Sequence, residues 1–487
     1  LPSPWAIQVF SGKALRVARP GALAPQLLRG FGGALLLGLA AVTGLAGCGD
    51  DERPDAIGSP PQIPSKRLPE TTQAFEETEC PSGVPTSHAT QCGWVSVPED
   101  HAAPSGAALK LFVLRVFSDA DGVKDDPIVY LEGGPGGSGV ATVSALFDYF
   151  EPLLAHRDLV TFDQRGAGDS LPSLACDELR GTEAALDSDL SPRVAACRTR
   201  LTEDGVDPSK YTSAQNALDV DDVRGALGYE SWNLLGVSYG TRLALTVMRD
   251  APAGVRSVVL DSTVPLEVDL LAETAPNAYA DFERLFEACR QDADCAAAYP
   301  DLMGTMLGIV DRLNADPIPS KFSDGTSYQL TGADVLGVLF TFLYAWENLP
   351  YIPRLIHEID AGDYSLILKF IEESWAGGYS EGMYLSINCS EEAAFTSAEA
   401  LQSAAVGLPA AFAECFASPA VFDQCVAWDV PASPALENEA VHSSLPTLVL
   451  AGYYDPITPP SFGQLVASAL PRSQYLELGG AAHGAMT

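Results

Sequence analysis

The sequence has few basic residues for its size. Its 487 residues include 28 Lys and Arg against 64 Asp and Glu, which gives a formal net charge of −36. Binding to phosphates requires a positive face, so a nucleic-acid partner is excluded. Charged residues make up only 19% of the chain and hydrophobic residues 47%, a balance that excludes global disorder and favours a large buried core. The length indicates one large domain with an insertion, or two medium domains.

The cysteines lack the spacing of metal and redox motifs. None of the ten forms a Cys-x-x-Cys pair, which argues against a zinc knuckle and a thioredoxin-like site. Three locally spaced pairs are predicted to form disulfides, with buried thiols as the alternative: Cys80 with Cys92, Cys176 with Cys197, and Cys289 with Cys295. Three further cysteines are expected to supply one disulfide and one free thiol, in an assignment that stays open: Cys389, Cys415 and Cys425.

The first 47 residues contain no acidic residue and have the layout of a secretory signal. Basic residues come first, and an uncharged apolar run ends in Leu45-Ala46-Gly47-Cys48, which resembles the lipobox of bacterial lipoproteins. We therefore predict a signal peptide over 1–47, lipidation at Cys48 and a flexible tether over 48–78; an ordinary signal peptide and a transmembrane anchor are the alternatives. The expected protein is exported by a bacterium, either secreted or held at the cell envelope, and contacts the membrane only through this anchor.

The rest of the chain alternates strand-like and helical patterns. Seven apolar runs are predicted as strands, with bounds 109–117, 127–131, 158–162, 232–235, 257–260, 447–450 and 474–478. Helical patterns separate them, which predicts an α/β fold with a mostly parallel sheet and helices on both faces. Strand patterns are missing between 266 and 440. This stretch is predicted to be a large, mainly helical cap, inserted between two parts of a core at 79–265 and 441–487.

A candidate nucleophile lies at the end of one predicted strand. The strand leads into Gly236-Val237-Ser238-Tyr239-Gly240 and then into a helical pattern. A strand, a tight glycine turn and a helix form a nucleophile elbow, which exposes a serine at the positive end of the helix dipole. The same pattern recurs at Gly378-Tyr379-Ser380-Glu381-Gly382, but no strand pattern precedes it, and Glu381 would put a carboxylate where negative charge develops. We predict Ser238, and not Ser380, as the nucleophile.

A serine nucleophile needs a base and an acid that orients the base. Of the six histidines, only His483 follows the last predicted strand, in a glycine-rich loop. Asp455 follows the preceding predicted strand in the same way. The order Ser238, Asp455, His483 is that of the α/β-hydrolase fold and differs from the orders of two other common serine protease folds. Taken singly, Asp455 fits an ordinary turn and His483 a solvated loop, but their joint placement predicts a catalytic triad.

A glycine-rich loop follows the predicted strand at 127–131. It runs Glu132-Gly133-Gly134-Pro135-Gly136-Gly137-Ser138-Gly139. Because glycines leave backbone N–H groups unobstructed, this loop is predicted to supply one oxyanion donor, and the N–H of Tyr239 the other. The glycine spacing also fits a dinucleotide-binding loop, but Pro135, the position inside the chain and the downstream triad argue against that alternative. We expect neither a cofactor nor a metal.

Four segments together resemble the proline iminopeptidase and tripeptidyl aminopeptidase family of α/β-hydrolases. They occur in the family's order at 133–137, 163–170, 236–241 and 455–459, with His483 and Gly484 after them. The resemblance implies an exopeptidase that takes short peptides by a free N-terminus under a helical cap, with Gly134 as the oxyanion donor of the loop. Glu132 stands where proline iminopeptidases carry His, which favours the tripeptidyl branch. The family continues through a closing helix after the histidine, so the C-terminus of this chain is expected to be incomplete.

The cap is expected to select the substrate. Residues 266–440 hold 28 acidic and six basic residues, a net charge of −22, which would attract a cationic amino terminus; plain surface solvation is the alternative. The segment Cys389-Ser390-Glu391-Glu392 resembles a family segment in which an acid follows a cysteine by two positions. This resemblance implies that Glu391 binds the substrate's N-terminus, and the alternative is that both glutamates are solvated helix residues.

These observations predict acyl transfer to Ser238 in an exported serine aminopeptidase of tripeptidyl or prolyl type, with short peptides as substrates. A secreted carboxylesterase or lactone hydrolase with the same triad is the main alternative. A catalytically inactive binding protein on the same fold is a third hypothesis, which an intact triad disfavours.

Overall fold

The computed structural model describes residues 74–180, 189–323, 325–374 and 379–486. The predicted signal peptide, the predicted lipidation site Cys48 and most of the predicted tether lie outside the described residues. Within the described ranges, no helix combines the length and the apolar character needed to cross a membrane.

The described residues form eleven strands. They are β1 (Glu76–Thr78), β2 (Thr90–Pro98), β3 (Ala108–Val116), β4 (Ile128–Leu131), β5 (Leu159–Phe162), β6 (Trp232–Val237), β7 (Val255–Asp261), β8 (Ile318–Lys321), β9 (Ser327–Leu330), β10 (Thr447–Gly452) and β11 (Ser473–Leu478).

Nine of these strands form one sheet in the order β1-β2-β3-β5-β4-β6-β7-β10-β11. The pairs from β1 to β5 are antiparallel, and the pairs from β5 through β4, β6, β7 and β10 to β11 are parallel. The predicted mostly parallel sheet is confirmed, and all seven predicted strands belong to it. The sequence analysis missed β1 and β2, since Gly93 and Pro98 weaken the strand pattern of β2.

Helices cover the sheet and build the cap. The first part of the core contains α1 (Gly139–Ala145), α2 (Phe147–Phe150), α3 (Ser191–Glu203), α4 (Ser213–Ala226) and α5 (Tyr239–Asp250). The insertion contains α6 (Leu270–Gln291), α7 (Ala293–Ala298), α8 (Leu302–Ala315), α9 (Gly332–Phe342), α10 (Ile352–Asp360), α11 (Ser365–Ser374), α12 (Glu381–Ile387), α13 (Ala398–Ala404), α14 (Ala410–Phe416) and α15 (Ala420–Trp428). The second part of the core adds α16 (Pro460–Ala469).

The sheet separates two apolar clusters. Along β3, Leu111 and Val113 pack into one cluster while Phe112 and Leu114 pack into the other, because successive side chains point to opposite faces. The central strand β5 is buried at every position. Burial on both faces explains why its sequence, LVTF, is a nearly continuous apolar run rather than an alternating one.

The cap has an apolar core of its own, which helices α6 to α11 and α14 share with the hairpin β8–β9. The hairpin corrects the expectation that this stretch lacks strands; its segments IPSK and SYQL are short and half polar, so they give little strand pattern. Tyr454 and Ala482, from the loops after β10 and β11, also belong to the cap's core. The cap therefore packs directly on the loops that carry Asp455 and His483. The boundaries of the cap at 266 and 440 stay predictions.

All three predicted local disulfides are present, and a fourth joins Cys389 to Cys425. Cys415 is the free, buried thiol among the described cysteines. The fourth disulfide links α15 to the turn that carries Glu391 and Glu392, so it restrains the position of that turn.

Candidate active site

Ser238 lies in a strained turn between β6 and α5. Its backbone has φ 56° and ψ −127°, a conformation that residues with a side chain rarely adopt. The turn is so tight that a Cβ atom on Gly240 would lie 2.0 Å from the carbonyl oxygen of Leu131. The glycine after the serine is therefore required by sterics. The turn exposes Ser238 at the N-terminus of α5, as the predicted nucleophile elbow requires.

His483 and Asp455 are in direct contact. Nδ1 of His483 lies 3.1 Å from Oδ1 and 3.0 Å from Oδ2 of Asp455, and the Asp455 side chain is fully buried. The carboxylate can only accept here, so Nδ1 carries the proton and Nε2 of the neutral imidazole is free to act as a base. Ser238 and His483 line the same cavity. No hydrogen bond joins these two side chains in the described part of the chain, and such contacts often form only with substrate bound.

Thr458 is a member of this site that the sequence analysis missed. Its Oγ1 donates to Oδ2 of Asp455 over 2.8 Å and lies 3.1 Å from Nδ1 of His483. Asp455 also accepts backbone hydrogen bonds from Ile457 and Thr458. Side chains of Asp commonly accept from the N–H two or three residues ahead, so the Asp455-Pro-Ile-Thr458 spacing was the available signal. Burial raises the pKa of Asp455, but His483 and the Thr458 hydrogen bonds outweigh it and leave that pKa below its ordinary value.

The loop after His483 is held by the end of β7. The N–H groups of Ala485 and Met486 donate to the carboxylate of Asp261, each over 2.8 Å, and the N–H of Gly484 donates to Oγ of Ser262 over 2.8 Å. Burial raises the pKa of Asp261 to about 6. Nothing in the sequence near Asp261 pointed to this contact, because its partners are more than two hundred residues away along the chain.

The glycine loop after β4 lies against Ser238. A Cβ atom on Gly133 would be 3.0 Å from Cβ of Ser238 and 3.1 Å from the carbonyl oxygen of Val237, so a larger residue at this position would press on the serine. Gly134 and Tyr239, the predicted oxyanion donors, line the cavity beside Ser238. The far end of the loop is fixed at Ser138, whose Oγ donates to Asp163 over 2.7 Å. Asp163 begins the segment 163–170, one of the four segments that carry the family resemblance.

Glu132 precedes the glycine loop and is buried at the cavity wall. Its carboxylate accepts from the N–H of Gly133 over 2.8 Å and from the hydroxyl of Tyr130 over 3.2 Å. Burial raises the pKa of Glu132 to about 7 against these hydrogen bonds. The residue that departs from the proline iminopeptidase pattern thus shapes the start of the loop.

The cavity has a volume of about 510 Å³ and lies between the core and the cap. The core supplies Ser238, Tyr239, Gly134, Thr458 and His483. The cap supplies mostly apolar and aromatic side chains, including these: Leu270, Leu271, Phe340, Tyr344, Tyr384, Leu401, Phe416 and Val421. The ring of Tyr344 lies 4.8 Å from that of His483, measured between centroids. This size and lining are typical of a small-molecule or short-peptide site.

The structure does not bring Glu391 to the cavity. Its carboxylate is fully buried behind the wall and accepts from the N–H and the hydroxyl of Ser213, each over 2.6 Å, and from Nε of Arg242 over 3.1 Å. These bonds occupy the oxygens that a substrate amine would need. The neighbouring Glu392 lines the cavity instead, with Oε1 2.7 Å from Nη1 of Arg242. The anchoring of a substrate by Glu391 is therefore disfavoured by its position, since the sequence resemblance cannot tell which of two adjacent glutamates faces inward.

Burial raises the pKa of Glu392 to about 7, with Arg242 acting in the opposite direction and Glu391 in the same one. Arg242 is the one Lys or Arg among the described residues that line the cavity, and its charge is matched by the two glutamates. Four acidic residues line the cavity: Glu132, Asp189, Glu392 and Asp423. The wall is therefore acidic overall.

Comparisons with known proteins agree with this architecture. A family model described as alpha/beta hydrolase fold matches residues 126–298, and a second one, described as TAP-like protein, matches residues 411–487. The first stretch contains the glycine loop and Ser238, and the second contains Asp455 and His483. Both parts of the core are thus matched separately, on either side of most of the cap.

Three curated relatives cover different shares of the chain. The serine protease Hip1 of Mycobacterium tuberculosis is 27% identical over 85% of this chain and 86% of that protein. The carboxylesterase B of the same species is 29% identical over 78% of both chains. The tripeptidyl aminopeptidase of Streptomyces coelicolor is 33% identical over 36% of this chain and 35% of that protein. With the fold and the two family matches, these likenesses show that the chain is a serine hydrolase with the α/β-hydrolase fold, similar to peptidases of that fold.

Proposed function

We propose that this chain is an exported serine exopeptidase that releases short fragments from the free N-terminus of peptides. The observation that carries the proposal is a single cavity lined by Ser238 and His483 from the core and by Glu392 from the cap. A peptide whose cationic N-terminus lies near Glu392 would extend its scissile carbonyl toward Ser238. The cap limits how much chain fits between these two points, which favours release of a short fragment.

The chemistry follows from the contacts of the core residues. Oγ of Ser238 attacks the carbonyl carbon while Nε2 of His483 takes its proton, and Asp455 stabilises the imidazolium that forms. The N–H groups of Gly134 and Tyr239 hold the oxyanion of the tetrahedral intermediate. The C–N bond then breaks as His483 returns the proton to the leaving amine. Water, activated by His483, hydrolyses the ester on Ser238 and frees the N-terminal fragment.

The electrostatics of the cavity support a cationic ligand group. A free α-amino group has a pKa near 8 and is largely cationic at neutral pH. Glu392 offers it a partly enclosed carboxylate, where a charged hydrogen bond is stronger than in water. An N-acetylated peptide lacks the cationic amino group. Its binding would therefore not gain the charged hydrogen bond to Glu392.

Export is supported by the four disulfides, because such bonds persist in oxidising compartments and are rare in the cytosol. We include in the proposal the anchoring of the mature chain through a lipid on Cys48, which rests on the sequence alone.

A second candidate function is hydrolysis of carboxylic esters or lactones by the same groups. It is favoured by the relative named carboxylesterase B, which is similar over 78% of this chain. The acyl-transfer steps would be the same, and only the leaving group would differ.

One experiment separates the two functions. The kcat and KM of the wild-type protein and of Glu392→Gln are measured for a tripeptide amide with a free N-terminus, for its N-acetylated twin and for a short-chain ester. Loss of one charge-assisted hydrogen bond costs about 1.5 to 3 kcal/mol, so we expect KM for the free peptide to rise about 10- to 100-fold. For the acetylated peptide and for the ester, we expect Glu392→Gln to have the same kcat and KM as the wild-type protein.

Glu391→Gln serves as the matched control, since it changes the adjacent side chain in the same way. Its carboxylate binds Ser213 and Arg242 rather than the cavity, so we expect it to lower the turnover of all three substrates together. Equal cleavage of the free and the acetylated peptide by the wild-type protein, or a strong preference for the ester, would contradict the exopeptidase proposal in favour of the esterase.

A further inference from the structure

The second Gly-x-Ser-x-Gly pattern lies at the start of α12 in the cap. The hydroxyl of Ser380 caps this helix by accepting from the N–H of Met383 over 3.3 Å. Ser380 is 3% exposed and does not line the cavity. Ser380 belongs to the segment 379–382, which we call the cap strap. The contacts of this segment indicate a role other than that of a nucleophile.

One side of the cap strap lies against the glycine loop. The N–H of Ser380 donates to the carbonyl oxygen of Gly136 over 3.0 Å, and Gly137 and Tyr379 form an antiparallel bridge. The approach is close, because a Cβ atom on Gly136 would lie 2.6 Å from the carbonyl oxygen of Ser380. The strap therefore pairs with the loop that carries Gly134 through one isolated β-bridge and one backbone hydrogen bond.

The other side of the cap strap is fastened to the core by Arg180. The guanidinium and the Glu381 carboxylate pair through two hydrogen bonds, Nε to Oε1 over 2.8 Å and Nη2 to Oε2 over 3.1 Å. Nη2 of Arg180 also donates to the carbonyl oxygen of Tyr379 over 2.7 Å, and the N–H of Cys176 donates to Glu381 over 3.0 Å. The Cys176–Cys197 disulfide in turn holds this part of the core to α3.

The glycine loop needs such support. It contains Gly133, Gly134, Gly136 and Gly137, which restrict the backbone less than other residues do. Its own bond, from the N–H of Gly137 to the carbonyl oxygen of Gly133, is long at 3.4 Å. An oxyanion donor is effective only when its N–H group already points at the oxyanion position before the reaction. Loss of one such donor lowers kcat about 10²- to 10³-fold.

We propose that Arg180 and Glu381 are positioning residues, whose ion pair holds the cap strap against the glycine loop and so fixes the N–H of Gly134 for the oxyanion. The inference rests on the proposed function, because it takes Gly134 as an oxyanion donor. The pair is well suited to this role, since the Arg180 and Glu381 side chains are only 27% and 15% exposed and meet in a two-pronged geometry.

The test compares Arg180→Gln, Glu381→Gln and the double variant with the wild-type protein. The kcat is expressed per active site, titrated with a fluorophosphonate, so that unfolded protein does not count. We expect each single variant to lower kcat about 10- to 100-fold for the peptide and the ester alike, with KM unchanged. The double variant should be no worse than either single one, because both residues act through one contact.

A second readout separates positioning from plain stability. A peptide boronic acid forms a tetrahedral adduct whose oxygen occupies the oxyanion site, so its affinity should fall in parallel with kcat. If a glutamine variant does not fold, Arg180→Lys keeps the charge but not the two-pronged contact, and an intermediate kcat is expected.

Arg198→Gln is the matched control. Arg198 also joins the core to the cap, with Nη2 3.0 Å from Oδ2 of Asp429, but its described side-chain hydrogen bonds go to Asp429 and not to the cap strap or the glycine loop. Its kcat per titrated site should equal that of the wild type. Wild-type kcat and boronate affinity in the Arg180 and Glu381 variants would overturn the inference, as would an equal loss in Arg198→Gln. Turnover that survives Ser238→Ala would instead refute the proposed function.

Discussion

The two Gly-x-Ser-x-Gly segments of this protein share a pattern but not a structure. Ser238 has a positive φ, follows the buried strand β6 and lines the cavity. Ser380 has φ −99°, follows no strand of the sheet and uses its hydroxyl to cap α12. The comparison teaches that five residues do not make a nucleophile. The strand before and the helix after the serine create the strained turn that exposes its hydroxyl at the cavity.

The sharpest way to break this comparison is to remove each hydroxyl in turn. Ser238→Ala should lower kcat about 10⁶-fold and abolish labelling by a fluorophosphonate probe, because the nucleophile is lost. Ser380→Ala should keep full labelling and lose about 1 kcal/mol of unfolding free energy, the usual cost of a helix cap. Labelling of Ser238→Ala, or a folded Ser380→Ala protein that the probe does not label, would contradict the assignment.

A smaller effect is expected from the residues that orient the base. Asp455→Asn should lower kcat about 10⁴-fold, because an amide no longer favours the tautomer and the charge that His483 needs. Thr458→Val removes one hydrogen bond to Asp455, worth about 1 kcal/mol, and should lower kcat roughly 5- to 10-fold. Both changes act on the chemistry, so the peptide and the ester should lose activity equally. A loss confined to the free peptide would place Thr458 in substrate binding instead.

The smallest expected effect concerns pH and the cap. The pKa of Glu392 is raised to about 7, so its carboxylate is charged above that pH and becomes protonated below it. The KM for a free-amino peptide should therefore rise as the pH falls from 7.5 to 6, by at most about tenfold per unit. The KM for the acetylated twin should stay level over the same range.

Glu392→Gln supplies the control for this pH effect, since its side chain cannot titrate. The KM for the free peptide should then be high and independent of pH between 6 and 7.5. If the wild-type protein and this variant show the same pH dependence of KM, the titrating group is not Glu392.

Much of the core site could be predicted from the sequence, because its residues follow strands of one parallel sheet. The carboxyl ends of β4, β6, β10 and β11 meet at one edge, so loops that are distant in sequence converge there. Ser238, Asp455 and His483 each follow such a strand, so local patterns were enough to predict that they would lie at this edge. Thr458 was within reach of the same reasoning, but its hydroxyl only gains a role once Asp455 and His483 are in contact.

The cap shows where such reasoning ends. Glu391 and Glu392 lie in one turn of π-helix, at Asn388–Glu392, where adjacent side chains point in different directions. If the turn were shifted by one residue, Glu391 would face the cavity and Glu392 would be buried behind it. No local sequence pattern reveals which of these two registers forms. Likewise, spacing could not choose among Cys389, Cys415 and Cys425, whose pairing depends on how α15 packs against this turn.

The sequence by itself determined the α/β fold, the elbow at Ser238 and the residues that follow β10 and β11, because these depend on short apolar runs, glycine sterics and chain order. The tertiary structure alone decided which glutamate reaches the cavity, which cysteine stays free and how Arg180 and Glu381 support the glycine loop. The contacts of Arg180 with Tyr379 and Glu381 join segments about two hundred residues apart, and all three outcomes depend on how the cap packs.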